Sequence, residues 1–231
     1  ISFESLVAKV FSNENSEKEN ERVYLRSIGS NPRKDVSDVW KQWPTLCDND
    51  HLKTPLELKT VEDHMFSSVL RVSSKDLWVF LHYDVCDNVL IGVRGRKRVV
   101  MFEPNEVSHL YVDGSTSMVS DIDNIHDARF PKYHKAYAKR HECILEEGSI
   151  LYIPALWFHT THTLEASLSV NVFFRDPLLP LPLYQTKDLY GNRDLTVAQT
   201  LMDELDANAA KKVTKPLSTL LSALDVLPPH Y

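Results

Sequence analysis

The sequence predicts an all-β core, an antiparallel sandwich or barrel, and three observations indicate it. From residue 65 onward, short runs rich in β-type residues follow one another closely. Most are bounded by turn residues, as at Arg94-Gly95, Asp113-Gly114 and Glu147-Gly148. No long helices alternate between them, which argues against a parallel α/β sheet. The runs are MFSSVLRVSS, LWVFLHYDV, NVLIGV, RKRVVMFE, ECILEE, SILYIP and ASLSVNVFFR.

Three segments follow from this pattern. Residues 1–62 are expected to cover the core with an amphipathic piece at residues 3–11, the polar loop SNENSEKENE, and short apolar pieces between turns. Residues 63–182 hold every β run and form the core. Residues 183–231 become helical, with apolar positions in AQTLMDELDANAAKKV and a short helix at 218–224.

Composition excludes several classes of protein. The chain has 231 residues, 43% of them hydrophobic, which suits one domain. With a net charge of -6, nucleic acid would have to meet a local basic patch. The odd set of Cys47, Cys86 and Cys143 has no CxxC pair and indicates neither a disulfide framework nor a zinc knuckle.

The location is expected to be cytoplasmic, with a nuclear one left open. No apolar run approaches the roughly 20 residues of a membrane span, so no membrane partner is expected. The N-terminus has neither the basic start nor the cleavage site of a secretory signal. Because the chain begins with Ile1 instead of methionine, we expect a fragment of a longer protein.

His82 and Asp84 are the first candidate metal ligands. They lie two apart in a β-type run, so strand alternation directs both to one face. An HxD pair alone is a weak signal, since most such pairs are polar surface neighbours. The surrounding run LWVFLHYDV favours a metal, because an unpaired carboxylate is costly to bury. A hydrogen-bonded pair without metal stays open.

The third ligand is expected from a distant strand that crosses the same mouth of a barrel, and in SILYIPALWFHTTH the candidate His159 follows a strand and a proline break. His162 is the competing candidate in the same segment. Two histidines and one carboxylate, with the remaining coordination positions open, are typical of non-haem iron(II) oxygenases.

Longer motifs carry a resemblance to a known family. The sequences LHYDVCDN, GRKRVVMFEP, LEEGSILYIPALWFH and VNVFF occur in the order found in JmjC-type 2-oxoglutarate oxygenases, which they resemble. With YLRSIGSNPRKDV and TKDLYGNRD, the chain is more narrowly similar to the tRNA wybutosine hydroxylases of that superfamily, over nearly its whole length. The resemblance implies a double-stranded β-helix, a jelly-roll or cupin-like core with flanking helices and a C-terminal helical segment. It also implies a homodimer for the full-length protein.

The resemblance implies a cofactor and two co-substrates. Fe(II) would be held by His82, Asp84 and His159, and 2-oxoglutarate and molecular oxygen would react there. Lys97 matches the cation for the distal carboxylate of 2-oxoglutarate, although a solvated basic hairpin is the alternative for RGRKR. Asn171 shares a strand face with Ser169, which suits a lined cavity or an ordinary cross-strand hydrogen bond. The predicted co-substrate residues are Tyr24, Asn88, Lys97 and Asn171.

The implied substrate is the wybutosine-type modified guanosine in the anticodon loop of phenylalanine tRNA. Bases in such loops can be splayed into a pocket and stacked on aromatic side chains. Phosphates require cations, so basic segments are candidate contacts, with solvated surface as the alternative. The candidate phosphate contacts are Arg71, the hairpin 94–98 and the segment 132–141 with Tyr133 and Tyr137. Trp157, beside His159, is expected either at the pocket mouth or in the barrel core.

Two other functions remain open. A JmjC protein hydroxylase acting on polypeptide side chains would use nearly the same iron and 2-oxoglutarate residues. A lysine demethylase is disfavoured, since the chain has no zinc-binding cysteine set. A non-catalytic cupin-like module that binds metal or RNA belongs to a different class, and the complete HxD and histidine set argues against it.

Overall fold

The computed structural model describes residues 2–12, 22–31, 35–45 and 64–174. Its strands are β1 (Tyr24–Arg26), β2 (Met65–Ser73), β3 (Trp78–Tyr83), β4 (Asp87–Arg94), β5 (Lys97–Phe102), β6 (Val112–Asp113), β7 (Thr116–Ser117), β8 (His141–Leu145), β9 (Ile150–Ile153), β10 (Phe158–Thr163) and β11 (Ser167–Phe174). Its α-helices are α1 (Phe3–Ser12), α2 (Val39–Gln42), α3 (Val107–Leu110) and α4 (Tyr133–Tyr137), with a 3₁₀ turn at Pro104–Glu106.

The strands form two antiparallel sheets. The first has five strands in the order β1-β2-β11-β4-β9, and the second has six in the order β6-β7-β3-β10-β5-β8. Strands that pair within a sheet are often far apart in sequence, as β2 and β11 are, which is expected of a jelly roll. The predicted all-β, cupin-like fold class is confirmed.

Strand alternation gives each sheet an inner face, which carries the polar residues that line the cavity, and an outer face, which is largely apolar. On β11, Ser169 and Asn171 face inward, whereas Val170 and Val172 pack with the cluster that includes Val39 of α2. Helices α1 and α2 cover this apolar face. Each apolar side chain that becomes fully buried there adds about 1.5–3 kcal/mol to the free energy of unfolding. The polar groups are left around the space between the sheets.

The second sheet is covered by the segment that carries α3 and α4. Leu81 and Tyr83 of β3 belong to the cluster that includes Phe102 and Tyr133. The ring of Tyr83 lies 5.2 Å from that of Phe158 in an edge contact. Because Leu81 and Tyr83 are buried in this cluster, the side chain of His82 between them is directed away from it.

All seven predicted β runs correspond to strands, namely β2, β3, β4, β5, β8, β9 and β11. The predicted boundaries at residues 62 and 182 and the C-terminal helices lie outside the described residues, so the division into segments stays a prediction. Cys86 is buried and Cys143 is half-buried. No helix among the described residues is long and apolar enough to cross a membrane.

Gly95 lies in the turn between β4 and β5, where the backbone of Ala166 approaches it closely. Its φ is +72°, and an added Cβ would lie 2.1 Å from the carbonyl oxygen of Ala166. Because backbone on both sides must shift, we expect Gly95→Ala to lower the free energy of unfolding by about 3 kcal/mol or more. Denaturant titration of the variant measures this.

Gly114 is the matched control. Its φ is +61°, but an added Cβ meets nothing within 4 Å. Gly114→Ala should therefore cost only the left-handed strain of roughly 1–2 kcal/mol. Equal losses for the two variants would show that the clash at Gly95 does not decide its stability.

Candidate metal centre

His82, Asp84 and His159 converge at one end of the space between the sheets. Asp84 Oδ2 lies 3.5 Å from His159 Nε2 and 4.0 Å from His82 Nε2. One ligand atom from each residue lies within 4.8 Å of the others. The two imidazole rings are 4.4 Å apart between centroids. The structure thus brings together the three side chains that the sequence predicted as ligands.

A β-bulge sets the direction of His82. Strand β10 pairs with β3 so that His159 lies opposite His82 and Thr161 lies opposite Val79. From one pair to the other, β10 advances two residues (159 to 161) and β3 three (79 to 82), so β3 holds the extra residue. Val79 and His82 can therefore both line the cavity despite their odd spacing.

Backbone carbonyls fix the tautomer of both histidines. His82 Nδ1 lies 2.8 Å from the oxygen of Phe80, and His159 Nδ1 lies 3.0 Å from that of Trp157. A carbonyl only accepts hydrogen bonds, so each Nδ1 carries the proton and each Nε2 keeps a free lone pair. Both Nε2 atoms lie near Asp84, in the arrangement that metal-binding histidines use.

His159 is uncharged at neutral pH. It is 5% exposed, and burial, together with the neighbouring His82, lowers its pKa to about 4. A neutral imidazole is the form that binds a metal. The two imidazoles and the carboxylate of Asp84 therefore fit a divalent ion and leave its other positions open.

Asp84 differs from the expectation that placed it in an apolar interior. Its side chain is 33% exposed, so the cost of burying a lone carboxylate is not what the site relieves. The residue lies just after β3 ends at Tyr83, beside the opening of the cavity. This exposure leaves the carboxylate accessible to an ion from solvent.

Lys97 lies deep in the same cavity. It is 4% exposed, and its Nζ donates a 3.0 Å hydrogen bond to Ser73 Oγ. Burial, and secondarily the charge of Arg71, lower the pKa of Lys97 to about 7. The alternative of a solvated basic hairpin is wrong for this residue, whereas Arg98 does face outward and binds Asp123.

The cavity that contains Lys97 also contains an unused hydroxyl donor. Ser169 Oγ is buried, lines the cavity, and has no hydrogen-bond partner among the described residues. A buried ammonium and an orphaned hydroxyl are both costly unless an anion or water satisfies them. The residues present therefore fit a bound carboxylate.

The other predicted co-substrate residues form a hydrogen-bonded chain along the cavity wall. Arg71 donates to Tyr24 Oη and, through Nε, to Asn171 Oδ1 at 2.7 Å. Asn171 Nδ2 donates to Asn88 Oδ1 at 3.0 Å. Asn171 thus makes the cross-strand hydrogen bonds and also lines the cavity. Arg71, predicted from sequence as a substrate contact, lies among the predicted 2-oxoglutarate residues.

Other candidates lie elsewhere. His162 stacks on Trp78 with 4.1 Å between ring centroids, and its Nε2 lies 3.7 Å from Asp76, so it is not part of the triad. Trp157 packs against the cluster of Leu90, Val99, Leu145 and Ile153.

The basic segment 132–141 needs one correction. Tyr133 is fully buried and its hydroxyl donates to the carbonyl of Ile122, so the predicted RNA contact by this ring is wrong. Lys132 and Lys135 are exposed, and their contact with RNA stays a prediction.

A family model described as a cupin-like domain matches residues 1–178. The chain belongs to the cupin-like family. The JmjC-type resemblance and the narrower one to wybutosine proteins are both confirmed by the relatives. "tRNA wybutosine-synthesizing protein 5" of Homo sapiens is 44% identical over 209 residues, covering 89% of this chain and 64% of that protein.

Two further relatives agree. The protein of the same name from Danio rerio is 43% identical over 213 residues, covering 92% of this chain and 59% of that protein. "tRNA wybutosine-synthesizing protein 4" of Gibberella zeae is 38% identical over 212 residues, covering 90% of this chain and 19% of that protein. The chain thus spans less than two thirds of the length of these relatives.

Proposed function

We propose that this chain is the catalytic domain of an Fe(II)- and 2-oxoglutarate-dependent hydroxylase. Its substrate would be the wybutosine-type modified guanosine in the anticodon loop of phenylalanine tRNA. The observation that carries the proposal is the geometry of one cavity, which has a His-Asp-His triad at its opening and a buried lysine within. The names of the relatives support the choice of substrate.

The chain's own residues would bind and orient the reactants. His82, Asp84 and His159 would hold Fe(II) through the two Nε2 atoms and the carboxylate. Lys97 would pair with the distal carboxylate of 2-oxoglutarate, and Tyr24 and the wall of asparagines would offer further polar contacts. When bound, iron, 2-oxoglutarate and oxygen together supply oxidative decarboxylation to succinate and carbon dioxide, coupled to hydroxylation of a substrate carbon.

Arg71 would orient these groups through Tyr24 and Asn171, since it donates to both. The cavity would limit contact of the co-substrate with bulk water, because Val79, Leu90 and Ile153 contribute apolar side chains to its lining. No side chain is needed as a general base. The protein's contribution is therefore positioning and electrostatic complementarity.

Mass spectrometry tests the proposal directly. The whole protein is incubated with Fe(II), 2-oxoglutarate, oxygen and phenylalanine tRNA that carries the unhydroxylated wybutosine precursor. We expect the modified nucleoside to gain the mass of one oxygen atom, with release of succinate. Phenylalanine tRNA lacking the precursor is the substrate control, and Asp84→Ala is the protein control.

Two results would contradict the proposal in different ways. Oxygen added to peptides, with the tRNA unchanged, would indicate a protein hydroxylase. No succinate with any substrate would favour a non-catalytic module. The homodimer expected for the full-length protein is also a proposal, and light scattering of that protein tests it.

A further inference from the structure

A tight turn at residues 154–157 leads into β10 and adopts a strained backbone. Trp157 N–H donates to the carbonyl of Pro154 at 3.2 Å. Leu156 has a φ of +67°, in the left-handed region that side chains other than glycine rarely adopt. Such a conformation persists only where surrounding contacts hold it, and it concentrates at functional sites.

Asp87 is one of the groups that hold this turn. It is 3% exposed at the start of β4, and its Oδ1 accepts hydrogen bonds from Ala155 N–H at 3.0 Å and from the Tyr152 hydroxyl at 2.7 Å. Hydrogen bonds to a buried carboxylate are stronger than those between neutral groups. The carboxylate therefore holds the turn at Ala155, next to the strained Leu156.

The same turn contacts two of the three candidate metal ligands. Leu156 N–H donates to the backbone carbonyl of Asp84 at 2.8 Å. The carbonyl of Trp157 accepts from His159 Nδ1 at 3.0 Å. The turn thus ties the backbone of one ligand to the ring orientation of another.

We propose that Asp87 is a positioning residue of the metal centre. It acts through the 154–157 turn, setting the direction of the His159 ring and the distance between Asp84 and His159. This inference rests on the proposed function, because it requires that the triad binds a metal. It assigns no direct metal contact to Asp87, which acts through backbone.

Titration of the apo-protein with Co(II) tests this, since Co(II) does not need anaerobic handling and its absorption bands report ligand geometry. We expect Asp87→Ala to weaken Co(II) binding by roughly tenfold, as is usual for groups that orient metal ligands, and to change the absorption bands. Asp87→Asn should bind close to wild type, because its Oδ1 can still accept both hydrogen bonds. Tyr152→Phe is the control, since it keeps the bond to the turn.

Metal affinity and thermal stability separate this role from a merely structural one. If Asp87→Ala melts earlier but binds Co(II) with wild-type affinity and bands, the positioning role is overturned. Should Asp87→Ala fail to fold, Asp87→Ser, which is too short to reach Ala155 N–H, carries the same expectation and the same contrary result. Failure of the wild type to bind Co(II) would instead overturn the proposed function.

Discussion

Replacing His159 with alanine is expected to abolish metal binding and hydroxylation together. The substitution removes one of two imidazoles from the triad. His82 and Asp84 remain as the only pair of the three, with 4.0 Å between His82 Nε2 and Asp84 Oδ2. His159 is also the ligand that is most deeply buried and held neutral, so its Nε2 needs no proton loss before binding. No other histidine described here faces the same point.

His162 provides a control of the same residue type on the same strand. Its ring stacks on Trp78 at the outer surface, away from the triad. We therefore expect His162→Ala to retain metal affinity and succinate release. The expected contrast is between a variant with no activity and one close to wild type.

Anaerobic titration with Fe(II) and 2-oxoglutarate measures the contrast, because the iron-bound keto acid gives a visible charge-transfer band. The band should be absent in His159→Ala and present in His162→Ala. The reverse pattern would show that the wrong histidine has been assigned. Circular dichroism of both variants checks that each is folded.

The strands were predictable where their pattern is local. Seven runs show period-two alternation or β-branched and aromatic enrichment, and all seven became strands. Strand β10, Phe158–Thr163, was expected only as the distant strand that carries the third ligand, and was not among the β runs, because its sequence FHTTHT has little apolar content. Its conformation depends on pairing with β3 and β5, which lie far away in sequence. Such non-local pairing leaves no local pattern.

The chemistry of the site was predictable, but its arrangement was not. Residue type and spacing identified His82, Asp84 and His159 as candidates, and the structure brings them together. The bulge in β3 and the carbonyls that hold both histidines depend on backbone conformation, which spacing does not reveal. Asp87 was missed because, beside Cys86, it resembles an ordinary turn residue.

The segment 132–141 contains a helical pattern of buried positions, but its aromatic and basic residues were interpreted as RNA contacts. Tyr133, Ala136 and Tyr137 are spaced as one face of a helix, and the structure forms α4 there. Tyr133 and Ala136 are fully buried. Helical periodicity therefore accounts for these positions, and the exposed His134 and Lys135 between them lie on the opposite face.

Lys97 is expected to control the affinity for 2-oxoglutarate. Lys97→Met keeps the apolar stem and removes the charge that would meet the distal carboxylate. A hydrogen bond to a charged group contributes about 1.5–3 kcal/mol, so the Kd for 2-oxoglutarate should rise roughly 10- to 150-fold. Arg96→Met is the control, because Arg96 is an exposed neighbour paired with Glu165.

The same lysine predicts a pH dependence with a defined sign. Because its pKa in the free protein is about 7, Lys97 is protonated below that pH and mostly neutral above it. The 2-oxoglutarate dianion pairs with the protonated form, so its Kd should be nearly constant below pH 7. Above pH 7 it should rise by up to about tenfold per pH unit, as binding must take up a proton.

Calorimetric titration with 2-oxoglutarate in two buffers of different ionisation enthalpy measures that proton uptake. At pH 8 the wild type should take up close to one proton for each 2-oxoglutarate bound, and Lys97→Met should take up none from this group. Metal affinity over the same range distinguishes Lys97 from the triad, because Lys97→Met should leave it unchanged. A Kd that does not change between pH 7 and 8 would mean that Lys97 is not the partner of the carboxylate.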